Sequence, residues 1–211
     1  DKLKLNPLPN INSEKWRLSN KSKFSSFLDY SHKNKETKVN LPYKNDSQNI
    51  IRLIIGENSS INIEEEHYSI SKLKDAEIVE YIKKNISDFD QNEHWSDLLN
   101  HCLSSKQDIL GLNISGNKIP PIEIFSASSS ECLNAKTLIL FFGKNCEVNL
   151  LQINLGSEKS SLSQSTYLCL EENSFVNHGL VSYGENKSNL LNSLNVIQKA
   201  TSEYTLGSLH F

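Results

Sequence analysis

The chain has 211 residues, 37% of them hydrophobic and 22% charged, with a net charge of −3. That composition can bury a core, and its acidic balance argues against a general nucleic-acid binder, which carries a basic excess. No apolar run approaches the ~18 residues of a membrane span, and no basic segment followed by an apolar one opens the chain as a secretory signal does. The expectation is a soluble intracellular protein that engages neither nucleic acid nor membrane. Met is absent even at position 1, so the chain is expected to start downstream of its translational start.

Residues 1–20 are polar and punctuated by Pro7 and Pro9, then reach Glu14-Lys15-Trp16-Arg17-Leu18-Ser19. Near 22–30, Phe24, Phe27 and Leu28 repeat at helical spacing. Residues 31–49 are charged and Asn-rich without a period and read as a loop. Ile50–Ile55 is a β-branched run, Gly56-Glu57-Asn58-Ser59 a turn, and Ile61–Ile63 a second run, which together predict a hairpin. A helix is predicted over 75–85, with Asp75 as its cap and Ile78, Val79 and Ile82 on one face. Another is predicted near 92–103, where Trp95, Leu98, Leu99, Cys102 and Leu103 share a stripe. Residues 1–116 thus read as a small mixed α/β unit.

Beyond Pro120-Pro121 the pattern changes. Short apolar stretches alternate with Ser, Asn and Gly: Ile122–Phe125, Leu138–Phe142, Val148–Ile153, Tyr167–Leu170, Leu180–Tyr183, Leu194–Ile197 and Tyr204–Leu209. None has a 3.6-residue period, so 117–211 reads as β. Asn145-Cys146-Glu147-Val148-Asn149 matches Asn173-Ser174-Phe175-Val176-Asn177, 28 residues later, as Asn-x-x-Val-Asn. The first Asn suits a left-handed turn, the valine then points inward, and the second Asn points outward by alternation. Such units stack into a solenoid, with Val148 over Val176 and Asn149 beside Asn177. A third copy, Asn58-Ser59-Ser60-Ile61-Asn62, lies in the earlier hairpin.

The chemistry-bearing residues form no catalytic or metal-binding set. Cys102, Cys132, Cys146 and Cys169 contain no CxxC pair, and their gaps suit no common zinc or iron–sulfur ligand pattern; reduced, mostly buried thiols are expected. His94 and His101 lie near one helix face but gain no third ligand at matching spacing, and no nucleophile motif accompanies Glu64-Glu65-Glu66-His67. A β-helix enzyme acting on carbohydrate is the alternative from another class, and it needs carboxyl pairs on adjacent rungs. Here most of Glu123, Glu131, Glu147, Glu158, Glu171, Glu172, Glu185 and Glu203 fall at predicted turns. No P-loop, GxGxxG or GxSxG motif is present. Trp16 with Arg17 is a candidate docking pair, since both types are favoured at interfaces, or else a plug holding the N-terminal arm to its own domain.

In their order, these features resemble the N-terminal half of SufD, in the SufB/SufD family of iron–sulfur cluster assembly proteins. Glu14-x-Trp16-Arg17-Leu18-Ser19 resembles the family's N-terminal signature, Ile51–Ile63 its hairpin with a central Gly, and Trp95–Asn100 the helix before its β-helix. Pro121-Ile122 is similar to its lead-in strand, and Leu138–Phe142, Ser165–Leu170, Leu194–Gln198 and Tyr204–Gly207 follow its succession of rungs. Ser208 after Gly207 departs from the family's usual second Gly. The resemblance implies a right-handed parallel β-helix, incomplete over 117–211, and a non-catalytic scaffold in the SufBCD complex of cytoplasm or plastid stroma. SufB and the ATPase SufC would be its partners, mainly through a segment after Phe211. The iron–sulfur cluster would be assembled transiently by the complex, with no cofactor in this chain. The paralogue SufB shares the β-helix and remains a third reading.

Overall fold

The computed structural model describes residues 50–55, 61–63, 69–85 and 109–211. Its elements in chain order are β1 (Ile51–Ile55), β2 (Ile61–Ile63), β3 (Ile70–Lys72), α1 (Asp75–Asn85), β4 (Ile109–Ile114) and β5 (Ile122–Ser128). There follow β6 (Leu133–Phe142), β7 (Glu147–Gly156), β8 (Ser161–Leu170), β9 (Phe175–Gly184), β10 (Asn189–Gln198) and β11 (Glu203–His210). The hairpin read from the sequence is present: β1 and β2 pair antiparallel. The helices expected near 22–30 and 92–103 lie outside the described residues.

From β4 onward the strands alternate between two sheets, ordered β11-β9-β7-β5-β1-β2 and β10-β8-β6-β4-β3. Neighbours from β4 to β11 are parallel and offset by one 28-residue coil, as in Leu133↔Ser161 and Val148↔Val176. The chain therefore winds as a parallel β-helix with two strands per coil. Antiparallel β2 and β3 lie at the other ends of the two sheets. The 116–117 boundary set by the change in sequence character falls between β4 and β5, strands of different sheets in this same solenoid. Leu110, Leu112 and Ile114 share one core with Ile122 and Ile124.

The corners set the period. Glu131, Asn145, Lys159, Asn173, Lys187 and Thr201 all take positive φ, between 54° and 59°, each 14 residues after the last. Such a residue reverses the chain into the next strand at the cost of a left-handed conformation, which Asn tolerates best. The next residue is always Cys or Ser: Cys132, Cys146, Ser160, Ser174, Ser188 or Ser202. Where it is Ser160, Ser174 or Ser202, the hydroxyl donates to the carbonyl three residues back, at 2.7, 2.7 and 2.8 Å. The corner backbone also bonds coil to coil, with Asn145 N–H donating to the Glu172 carbonyl and Asn173 N–H to that of Ala200.

The cap of α1 differs from the expectation by one residue. Asp75 is the first helical residue, and Lys74 is the cap: its carbonyl accepts from Ile78 N–H, and Glu77 accepts from Lys74 N–H at 2.8 Å. Asp75 instead complements the helix dipole from the first turn. Ile78 is buried against Ile139 and Tyr167 on the outer face of the second sheet, whereas Val79, expected on the same face, is 39% exposed. Close approach there depends on Gly111, where a Cβ would sit 2.7 Å from Leu73 Cδ1.

Candidate functional site: a polar file inside the solenoid

The interior is apolar at one corner and polar at the other. Around the Asn145–Asn173–Thr201 corner, the core is built from Leu138, Leu140, Phe142, Val148, Leu168, Leu170 and Val176, with Cys146 among them. Val148 and Val176 are both buried and in register, and Asn149 and Asn177 point outward beside each other, as the repeat predicts. Toward the opposite corner, the inward positions become Ser, Asn, Gln and Lys. Register stacks Ser126, Asn154, Ser182 and His210 along one sheet, and Lys136, Gln164 and Asn192 along the other.

Most of these groups bond one another across the interior. Gln152 Nε2 donates to Thr166 Oγ1 at 3.1 Å, Asn154 Nδ2 to Asn192 Oδ1 at 2.7 Å, and Asn192 Nδ2 to Ser182 Oγ at 2.6 Å. Ser128 and Ser160 hydroxyls meet at 2.6 Å. The Lys136 ammonium, buried, donates to the carbonyls of Ile55 and Ala127 at 2.9 and 3.2 Å, binding the ends of β1 and β5. Buried polar side chains are tolerated because they are bonded, and a network of this kind fixes register as well as adding stability. Sequence reasoning missed the file. Its residues alternate with other polar residues, as in Ser161-Leu162-Ser163-Gln164-Ser165-Thr166, so nothing in the pattern marks which are inside.

No acid–base pair lies within this file. Glu123 is held by Arg52, whose Nε and Nη2 donate to one carboxylate oxygen at 3.1 and 2.9 Å, and the Arg52 guanidinium lies over Phe125. Glu131, Glu158, Glu171, Glu172 and Glu185 fall at corners, as expected. Two of them make exposed ion pairs between coils, Lys144–Glu172 at 2.8 Å and Lys199–Glu171 at 2.6 Å. The first hydrogen bond, seconded by charge attraction, raises the Lys144 pKa and lowers that of Glu172. Among the described residues, no group of three or more His, Cys, Asp or Glu is arranged to hold a metal.

The cysteines within the described residues are in no disulfide, with Cys132 and Cys146 buried and Cys169 half-buried. Burial pushes the Cys146 thiol up to about 11, so it stays protonated near neutrality and is a poor nucleophile and a poor metal ligand. Trp16, Arg17, Glu64, Glu65, Glu66, His67, His94, His101 and Cys102 lie outside the described residues. Among the described residues, no helix is long and apolar enough to cross a membrane.

The arrangement can hold a stack of coils in fixed register and display ordered surfaces on two sheets. Comparison with protein-family models, with curated proteins and with solved structures finds no match to this chain.

Proposed function

We propose that this chain is part of a non-catalytic scaffold in iron–sulfur cluster assembly, the SufD-like member of a SufBCD-type complex. The observation that carries the reading is the parallel stack of 28-residue coils, entered through the β1–β2 hairpin and a helix. That succession agrees with the order of sequence features that resemble the family. A solenoid of this kind suits scaffolding because each coil contacts only its neighbours and the stacked coils present extended surfaces. The non-catalytic part of the proposal draws support from the described carboxylates of 109–211, most of which are dispersed over corners, while Glu123 is neutralised by Arg52. ATP hydrolysis would belong to a SufC-type partner and the cluster to the complex, with cytoplasm or plastid stroma as the compartment.

Co-expression of the protein with SufB-type and SufC-type proteins from the same source tests this. A single particle containing all three on size-exclusion chromatography is the expected result. A SufB–SufC complex that forms while this protein elutes alone contradicts the proposal. Purified alone without oxygen, the chain is expected to hold no stoichiometric iron and sulfide. Cluster absorbance abolished by Cys132→Ser or Cys146→Ser overturns that part.

A further inference from the structure

We propose that His178 is an acid-sensitive latch between β9 and β11: its neutral imidazole keeps β11 seated on β9, and its protonation lets β11 open. His178 points inward from β9 and is 2% exposed. Its Nδ1 lies 2.8 Å from the Tyr204 hydroxyl on β11, and the two rings meet edge-on with centroids 6.0 Å apart. The other nitrogen, Nε2, is buried and has no hydrogen-bond partner. The register neighbours of His178 are Leu150 on β7 and Leu206 on β11. Leu168 from β8 and Leu194 and Val196 from β10 enter the same core. Among these neighbours Tyr204 alone is titratable, and among the described residues no carboxylate or ammonium shifts the ring's pKa, burial being its cause. Glu203, next to Tyr204 in sequence, lies in the outward alternation of β11 and is exposed.

A neutral imidazole needs one partner at Nδ1 and tolerates the buried Nε2 at moderate cost. An imidazolium must donate from both nitrogens, and here the second donor would face hydrocarbon. The ring escapes most easily past β11. Among the described strands β11 pairs with β9 alone, and its residues are largely exposed. Burial lowers the His178 pKa from 6.5 to about 4. A folded-state pKa below the open-state value means that the closed coil is fully favoured above pH 6.5 and loses that advantage as pH falls toward 4. Between pH 7.5 and pH 5, the opening equilibrium of β11 rises roughly 30-fold by this linkage.

Amide hydrogen exchange at pH 7.5 and pH 5, corrected for the intrinsic rate, reads this directly. The expected result is a roughly 30-fold loss of protection over Tyr204–Leu209 at the lower pH, with β6 and β7 unchanged. His178→Leu should remove the pH dependence, and His178→Gln serves the same purpose if the leucine variant does not fold. His210→Gln should keep it. Equal β11 protection at both pH values overturns the latch, as does a pH dependence that survives loss of the imidazole.

Discussion

Asn177 lies beside Asn149, its Nδ2 donating to the Asn149 Oδ1 at 3.2 Å across 28 residues of chain. The preceding residues, Val176 and Val148, are in register on the opposite face, both buried. One dipeptide thus carries both faces of the sheet, and the two substitutions that probe it should differ sharply. Val176→Ala should cost about 2 kcal/mol, through lost transfer energy and the cavity left behind. Asn177→Ala, exposed and replacing a bond in water, should stay within about 0.5 kcal/mol. Chemical denaturation of both variants checks the contrast.

The cysteine at the Asn145 corner should be replaceable. Cys146 occupies the place that Ser174 and Ser202 fill in the following coils, and their hydroxyls bond the carbonyl three residues back. Cys146→Ser gains the equivalent bond to the Gly143 carbonyl and leaves the turn intact. The expected change in stability is below about 1 kcal/mol, and the chain should fold with the same circular dichroism. Cys146→Val, which can make no such bond and adds branching beside a left-handed residue, should be the worse variant.

Thr201 is the least suited of the six left-handed residues, since a β-branched side chain crowds that conformation. Thr201→Asn should stabilise the protein by about 0.5–1 kcal/mol. The offset is the bond the Thr201 hydroxyl makes to Asn173 Oδ1, which an Asn can replace by continuing the Asn145–Asn173 ladder. A lower melting temperature for Thr201→Asn would show that the hydroxyl outweighs the backbone strain.

The period-28 repeat, the hairpin, the 75–85 helix and the β character of 117–211 were legible because apolar residues mark them. Four things were not. The 14-residue corner is invisible because its left-handed position holds Glu, Asn, Lys or Thr, and only the small Cys or Ser after it recurs. Strands β6 and β8 extend well before Leu138 and Tyr167, since Leu133–Thr137 and Ser161–Thr166 are largely polar yet buried. Strand β4, with Gly111 where Leu73 and Ile78 press on the sheet, carries a residue that sequence rules count against a strand. The polar file shares this cause: burial of Ser, Asn and Gln follows from cross-interior partners, which no local pattern encodes.

Arg52 and Glu123 form a buried ion pair, 6% and 9% exposed at their side chains, between β1 and β5. Removing one partner strands the other charge away from water. Arg52→Leu and Glu123→Leu should each cost about 3–5 kcal/mol. The double variant should recover a good part of that loss, because it leaves no charge to solvate. Additive losses in the double-mutant cycle would mean that the two side chains act independently and that β1 is not held against β5 by this pair.

The proposed function and the latch both stand on parallel stacking of 28-residue coils, and solution NMR of the assigned chain tests that stacking most directly. Contacts between β7 and β9 should step in the same direction along both strands: Val148 to Val176, Leu150 to His178, Gln152 to Leu180. The same 28-residue offset should recur from β6 to β8, as in Leu138 to Thr166 and Leu140 to Leu168. Cross-strand contacts that run in opposite directions, so that residues near Val148 meet those near Leu180, would mean antiparallel pairing and would contradict the solenoid.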